Sequence, residues 1–430
     1  MSYYFYHYIL IYCNILLSTP TIILLAIQAL FLPYMLWLLV MIIAGHCKDK
    51  PFPEPTRNLQ IAVIICARNE ETVIGKLIDS LKAQDYPADS FEVILIAHNC
   101  TDKTAEVGKE HGAVVWELTQ TDHPSKGTAL TYAIDRIKEE YPDRFDAYCI
   151  FDADNIADPG FLAEMNAGLL SGEADAVLGF RDSVNPYDTW VANMCATHWC
   201  VVSRSYNMPR RRLGLSCFVE GTGYAFLKEC VEPEGWTAHT LTEDFEFTAN
   251  TILKGKRITH TLRAKFYDEQ PTEFDAWLAQ LYRWMFGAKK NVHFAGKALA
   301  NLFPHPVQKM DLFWNATAPL VTGLTTLTTV AVFIYATVAR TPLIPETLIP
   351  DTDWTFNLIL GAGAVLGSYL LMFLMTFISV LYCGKPLRKH WRGIFAYPFF
   401  ILTASILIIV SLFHKEFKYI PLLHKGQSSK

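Results

Sequence analysis

Apolar residues crowd at both ends of the chain and polar residues in its middle. Residues 19–44 form an apolar run long enough for a helix to cross a bilayer, which takes about 20 residues. Residues 3–17 are also apolar and rich in tyrosine. One straight helix over 3–44 would be about 60 Å long, about twice the hydrocarbon core, so Ser18-Thr19-Pro20 is expected to break it. Whether 3–17 crosses or lies on the interface stays open. Three further spans are predicted at roughly 313–339, 357–383 and 394–413. In the middle, Leu59–Ile65, Phe91–Ala97, Val114–Leu118 and Ala147–Phe151 read as strands. Glu70–Lys82, Thr101–His111 and Thr128–Glu139 alternate with them and read as helices. This alternation predicts an α/β domain with a doubly wound, mostly parallel sheet and ligands beyond the strands' carboxyl ends. Residues 290–312 interleave Lys290, Lys297 and Lys309 with Phe294, Leu302 and Phe303, as an interfacial amphipathic stretch would. The expected order is a membrane region (1–50), an α/β domain (51–290), interfacial helices (291–312), membrane helices (313–414) and a basic tail (415–430).

Charge refines that order. The loop at 384–393 carries Lys385, Arg388, Lys389 and Arg392, whereas the loop at 340–356 carries Glu346, Asp351 and Asp353 against Arg340. The positive-inside rule puts the first loop in the cytoplasm, with the middle domain. A multi-pass protein, in the plasma membrane, is the expectation. The basic tail at 414–430 conflicts with three full spans, so either the last segment is re-entrant or the charge rule fails there. The N-terminus has neither the charged region nor the small-residue cleavage site of a secretory signal. A net charge of −5 argues against a nucleic-acid partner, because phosphate neutralisation drives such binding. Ten cysteines without a C-x-x-C pair read as buried thiols in a reducing compartment. The predicted spans carry almost no charge, which argues against a transporter.

The candidate chemistry lies in the middle. Ala147–Phe151 runs into Asp152-Ala153-Asp154. In extended chain, residues two apart share a face, so both carboxylates can approach one cation. Oxygen ligands with a phosphate partner suit Mg²⁺ or Mn²⁺. Alone, the motif reads equally as a solvated turn. Gln280, Arg283 and Trp284 share a helical face, with Trp277 a turn earlier. An indole suits a pyranose ring, and Arg with Gln suits diphosphate oxygens. The alternative for that helix is a membrane-surface element. Thr242-Glu243-Asp244 reads as a catalytic acid cluster or as a helix N-cap. Asn207-Met208-Pro209-Arg210-Arg211-Arg212 reads as a solvated turn or an anchor to anionic headgroups.

Over roughly residues 59–290 the sequence resembles the family 2 glycosyltransferases, of GT-A fold. The D, D, D, Q-x-x-R-W order resembles their processive, membrane-embedded branch, which includes cellulose, chitin and hyaluronan synthases. The resemblance implies that Ala67, Arg68 and Glu70, in the Ala67-Arg68-Asn69-Glu70-Glu71 turn, touch the nucleotide. His98 stands where the family often has a uracil-binding Asp; a neutral imidazole can still accept from uracil N3–H. Lys126, in Ser125-Lys126-Gly127, would sit near the diphosphate. So would Asp152, Gln280 and Arg283, with Asp152 and Asp154 on the metal. Asp244 would be the general base. Gly221, Thr222, Gly223, Glu243 and Trp284 would flank the acceptor. The function so implied is inverting transfer from a nucleotide sugar, a UDP-sugar by the family's habit, to a growing β-linked polysaccharide. The alternatives are addition of one sugar to a lipid-linked acceptor, and a catalytically inactive membrane scaffold.

Overall fold

A computed structural model describes residues 19–46, 50–119, 125–340 and 355–415. Residues 3–17, the acidic loop residues 341–354 and the tail from 416 lie outside the described residues, and so do the expectations placed on them. The chain opens with an apolar helix, α1 (Thr19–Gly45). The α/β domain then runs β1 (Ile61–Ala67), α2 (Ile74–Lys82), β2 (Phe91–His98), α3 (Thr104–Glu110), β3 (Val114–Leu118), α4 (Lys126–Glu140), β4 (Ala147–Asp152), β5 (Ile156–Ala157), α5 (Phe161–Leu170) and β6 (Ala176–Ser183). There follow α6 (Trp190–Val201), a π-helical turn (Val202–Asn207), α7 (Met208–Arg212), β7 (Tyr224–Leu227), α8 (Glu243–Leu253), β8 (Ile258–Asp268) and α9 (Phe274–Asn291). The last helices are α10 (His293–Ala300), α11 (Pro306–Val338), α12 (Phe356–Tyr382) and α13 (Leu387–Leu412).

The sheet is mixed but mostly parallel, in the order β3-β2-β1-β4-β7-β6-β8-β5. β1 explains its centre. Ile61, Val63 and Ile65 enter one apolar cluster, and Ala62 and Ile64 enter the other on the opposite face. A strand covered on both faces reads as a continuous apolar run. Truncating Ile64, fully buried, should cost about 2–5 kcal/mol. β2 and β3 lie on one side of β1 and β4 on the other. The chain direction across the sheet therefore reverses between β1 and β4, and their carboxyl ends open a crevice. β6, β7 and β8, which no strand prediction covered, complete the sheet; β7 runs antiparallel to β4.

α11, α12 and α13 are long and apolar enough to cross a membrane. α13 begins at Leu387, earlier than the predicted 394, so Arg388, Lys389 and Arg392 of the predicted loop ride on its first turns. The predicted amphipathic stretch is broken instead of continuous: α10 stops at Ala300, and α11 starts only after Pro304 and a left-handed His305. Lys385 pairs with Asp182 at the end of β6. Asn193 of α6 accepts from the Gly393 amide at 2.6 Å and donates to the Lys389 carbonyl at 3.2 Å. A Cβ on Gly393 would strike the Asn193 carbonyl, so only glycine lets α13 come this close. The sheet is thus fastened to the apolar helices.

The Arg210–Arg212 knot is not a solvated anchor. Arg210 is buried and forms a double hydrogen bond with Asp311 at 2.7 and 3.1 Å. Arg211 pairs with Glu173 at 3.2 Å. A buried guanidinium is stable only when so matched.

Candidate active site

Two left-handed asparagines, Asn69 and Asn99, turn the chain sharply at the ends of β1 and β2. The two turns are tied together. Asn69 Oδ1 accepts from the Thr101 amide at 2.8 Å, and the Glu70 amide donates to Thr104 Oγ1 at 2.8 Å. Register sets Ala67 opposite Ala97, and Cys66 opposite Asp152 of β4. Ala67, Arg68, Glu70 and His98 therefore line one end of the sheet beside Asp152. Arg68 is exposed, and His98 is buried. Burial first, and the Arg68 charge second, hold the His98 imidazole below its ordinary pKa. Any loss of an acceptor role through protonation therefore belongs below the ordinary histidine value.

Lys126 opens α4, whose N-cap Ser125 accepts from the Thr128 amide at 3.1 Å. Its ammonium donates to Asp152 Oδ1 and, at 2.7 Å, to the Gly221 carbonyl; Glu243 Oε1 lies 3.9 Å away. Burial disfavours the ammonium, but Asp152 and Glu243 outweigh that and raise its pKa. Asp152 Oδ2 accepts no hydrogen bond among the described residues. β4 ends at Asp152, and Asp154 lies in the following turn, so the shared-face argument from extended chain fails. Both carboxylates nonetheless act on one group: the Arg181 guanidinium, paired with Asp268, feels the charge of each.

In the Glu220-Gly221-Thr222-Gly223 turn, Gly221 lies beside the acidic cluster. A Cβ there would come 3.8 Å from Asp244 Oδ2. The expected acceptor contacts of Thr222 and Gly223 give way to structural ones. Thr222 is fully buried, and its hydroxyl accepts from the Asp152 amide at 2.8 Å and donates to Asn155. Gly223 has a φ of 66°, and a Cβ on it would strike the Phe266 ring. Together they hold the end of β4.

Glu243 and Asp244 begin α8. The N-cap reading fails for Thr242: its side chain makes no cap bond and instead donates to Asn291 Oδ1 of α9 at 3.1 Å. Burial pushes Glu243 up to about 7 against the pull of Lys126, and burial also raises Asp244. A Cβ on Gly287 of α9 would strike Thr242. Gly287 and Asn291 lie one and two turns beyond Arg283, so the face of α9 bearing Gln280, Arg283 and Trp284 is turned toward the acidic cluster. Gln280 and Arg283 are half-buried and make no hydrogen bond or ion pair among the described residues. Trp284 stacks on His198, with centroids 6.1 Å apart, and meets Trp199 edge-on at 5.9 Å. Trp277 is buried against Phe399 and Phe400 of α13, so it anchors the helix and offers no sugar platform.

Sequence reasoning missed Glu220 as a titrating group. It is half-buried beside Asp244 and accepts from Asn207, and loss of solvent lifts its pKa to about 8. Nothing local in the sequence signals this, because Asn207 and Arg181 reach it from other elements.

Asp152, Glu243 and Asp244 place three carboxylates around the Lys126 ammonium. No group of three His, Cys, Asp or Glu among the described residues holds an ion alone. An ion such as Mg²⁺ or Mn²⁺ held by Asp152 and Asp154 would have to complete its shell with phosphate and water.

A family model described as Glycosyltransferase like family 2 matches residues 58–287, more than half of the chain. The chain belongs to the family 2 glycosyltransferases. It is 25% identical over 276 residues to the Bacillus subtilis protein named Probable glycosyltransferase YdaM, covering 62% of this chain and 64% of that protein. It is 25% identical over 238 residues to Beta-monoglucosyldiacylglycerol synthase of a Nostoc species, covering 53% of this chain and 48% of the synthase. The chain thus spans less than two thirds of these relatives' lengths. Its fold is that of the mannosyltransferase PcManGT from Pyrobaculum calidifontis, solved with GDP-Man and Mn²⁺. The TM-score is 0.61 at 20% identity, covering 92% of this chain and all of that one.

Proposed function

We propose that this protein moves a sugar, with inversion, from a nucleotide diphosphate sugar to a lipid-linked acceptor at the membrane surface. The observation that carries the chemistry is the meeting of Asp152, Lys126, Gly221, Glu243 and Asp244 at the β1/β4 crevice. Asp244 takes the acceptor hydroxyl's proton as that oxygen attacks the anomeric carbon. The bond from the anomeric carbon to the diphosphate oxygen breaks, and one in-line displacement inverts the centre. Lys126 and the uncommitted donors of Gln280 and Arg283 neutralise the departing diphosphate. Asp152 and Asp154 would hold a divalent ion, which when bound offsets diphosphate charge. Ala67, Arg68, Glu70 and His98 take the nucleoside side, and Glu243 and Gly221 the acceptor side.

A lipid-linked acceptor is favoured by the seat of Trp284. Its ring packs on His198 and Trp199, in one apolar cluster with Tyr397 and Phe400 of α13. The acceptor side of the reaction therefore abuts the apolar helices. Processive extension of a β-linked polysaccharide is the second reading; the helical face shared by Gln280, Arg283 and Trp284 favours it. Purified protein in nanodiscs, given radiolabelled UDP- and GDP-sugars and lipid extract, separates them. The proposal expects label in one organic-soluble band. A ladder of long, water-soluble products would replace it with the processive reading, and no transfer from any donor would refute both.

A further inference from the structure

A second cavity, of about 170 Å³, lies away from the crevice, where α1, the π-helical turn, α7 and α11 meet. Tyr34, Trp37, Tyr206 and Trp314 supply its aromatic lining, and Arg210 and Asn315 its polar lining. The cavity lies level with the polar start of α11, one of the helices apolar enough to cross a membrane. α11 opens with Gln308, Lys309 and Asp311 and turns apolar from Leu312 onward. Trp and Tyr at such a level belong to the headgroup zone.

The polar lining is already balanced. Asp311 takes both hydrogen bonds from Arg210 and a third from Trp37 Nε1 at 2.9 Å, while Arg210 Nη2 also donates to Asn315 Oδ1 at 3.2 Å. An anionic ligand would have to compete with a buried ion pair, which is costly to break. A neutral ligand need not. Aromatic faces, the Asn315 amide and a balanced ion pair suit a polyhydroxylated ring with apolar C–H faces and donating hydroxyls. Packed rings separate the cavity from the crevice. Tyr206 packs on Phe218 at 5.7 Å, and Phe218 on Phe245 at 5.6 Å, next to Asp244.

We propose that this cavity binds the neutral hexosyl headgroup of a membrane glycolipid, separately from the nucleotide-sugar site. The membrane source follows from the position of the cavity.

The test uses full-length protein in phosphatidylcholine nanodiscs with hexosyl diacylglycerol carrying a diazirine on the sugar. Crosslinks are mapped by mass spectrometry. Label is expected on Tyr34–Met41 and Trp314–Pro319, displaced by unlabelled hexosyl diacylglycerol. Displacement by phosphatidylglycerol or by sugar-free diacylglycerol would overturn the proposal, because headgroup chemistry would then be irrelevant. Displacement by free hexose at equal concentration would overturn the membrane source. Ala318 lines the cavity without joining its hydrogen bonds. Ala318→Phe should fill it and cut labelling at least tenfold, with nucleotide-sugar affinity reporting that the domain is folded. Ala318→Leu serves if that affinity is lost. Unchanged labelling in a folded variant would overturn the site. Labelling without sugar transfer to any lipid would sink the functional reading and leave this site standing.

Discussion

Glu220→Gln should make the protein more stable as pH rises, and the sign can be worked from its surroundings. Burial holds the Glu220 carboxyl at about 8, against an ordinary value of 4.5, with Arg181 opposing and Asp244 reinforcing the shift. Between those values the unfolded chain has lost this proton and the folded chain keeps it. The folded state then binds one more proton, so wild-type stability falls with rising pH by about 1 kcal/mol per pH unit from this group alone. The contribution is fully present below about pH 4.5 and lost as pH passes about 8. Glutamine has the same shape and keeps an oxygen to accept from Asn207, so the variant should lack this slope. The assay is thermal unfolding of the detergent-solubilised protein from pH 5 to 8. The difference in midpoint, variant minus wild type, should grow steadily with pH. Parallel curves would mean that Glu220 ionises normally and that the cluster beside Asp244 is wet.

Asp244→Asn should bind donor normally and lose turnover by at least about 10²-fold, the usual scale of general-base catalysis; near-normal kcat would move the role elsewhere, Glu243 being next. Chelation by EDTA should abolish transfer and added Mg²⁺ or Mn²⁺ restore it, whereas full activity in chelator would remove Asp152 and Asp154 from metal binding. Nucleotide affinity should fall with a midpoint below the ordinary histidine value, because burial holds the His98 pKa down; a midpoint at that ordinary value in wild type, absent in His98→Ala, would place the ring in water.

Much of this molecule was legible in its sequence because its centre is local. The apolar runs of β1, β2 and β4 need no partner to be recognised, and each ends in the turn that carries chemistry. The i, i+3, i+4 spacing of Gln280, Arg283 and Trp284 likewise survives folding as one face. What failed to show depends on partners far along the chain. Arg210 looks solvated until Asp311, 101 residues later, buries with it. Thr222 looks like part of a loose glycine turn until Asp152, 70 residues earlier, claims its hydroxyl. Asp154 was placed by assuming that the strand continued past Asp152. The sheet's second half was missed because β7 is only four residues long and β8 mixes polar residues into its run.

The most direct test of the account follows the anomeric centre through one turnover. Protein in nanodiscs is given an α-linked, glucose-configured nucleotide sugar with lipid acceptor, and the product's anomeric proton coupling is read by NMR. The account predicts a β-linked glycolipid, formed by wild type and lost in Asp244→Asn. An α-linked product, or β-linked product formed at the same rate by the variant, would contradict it.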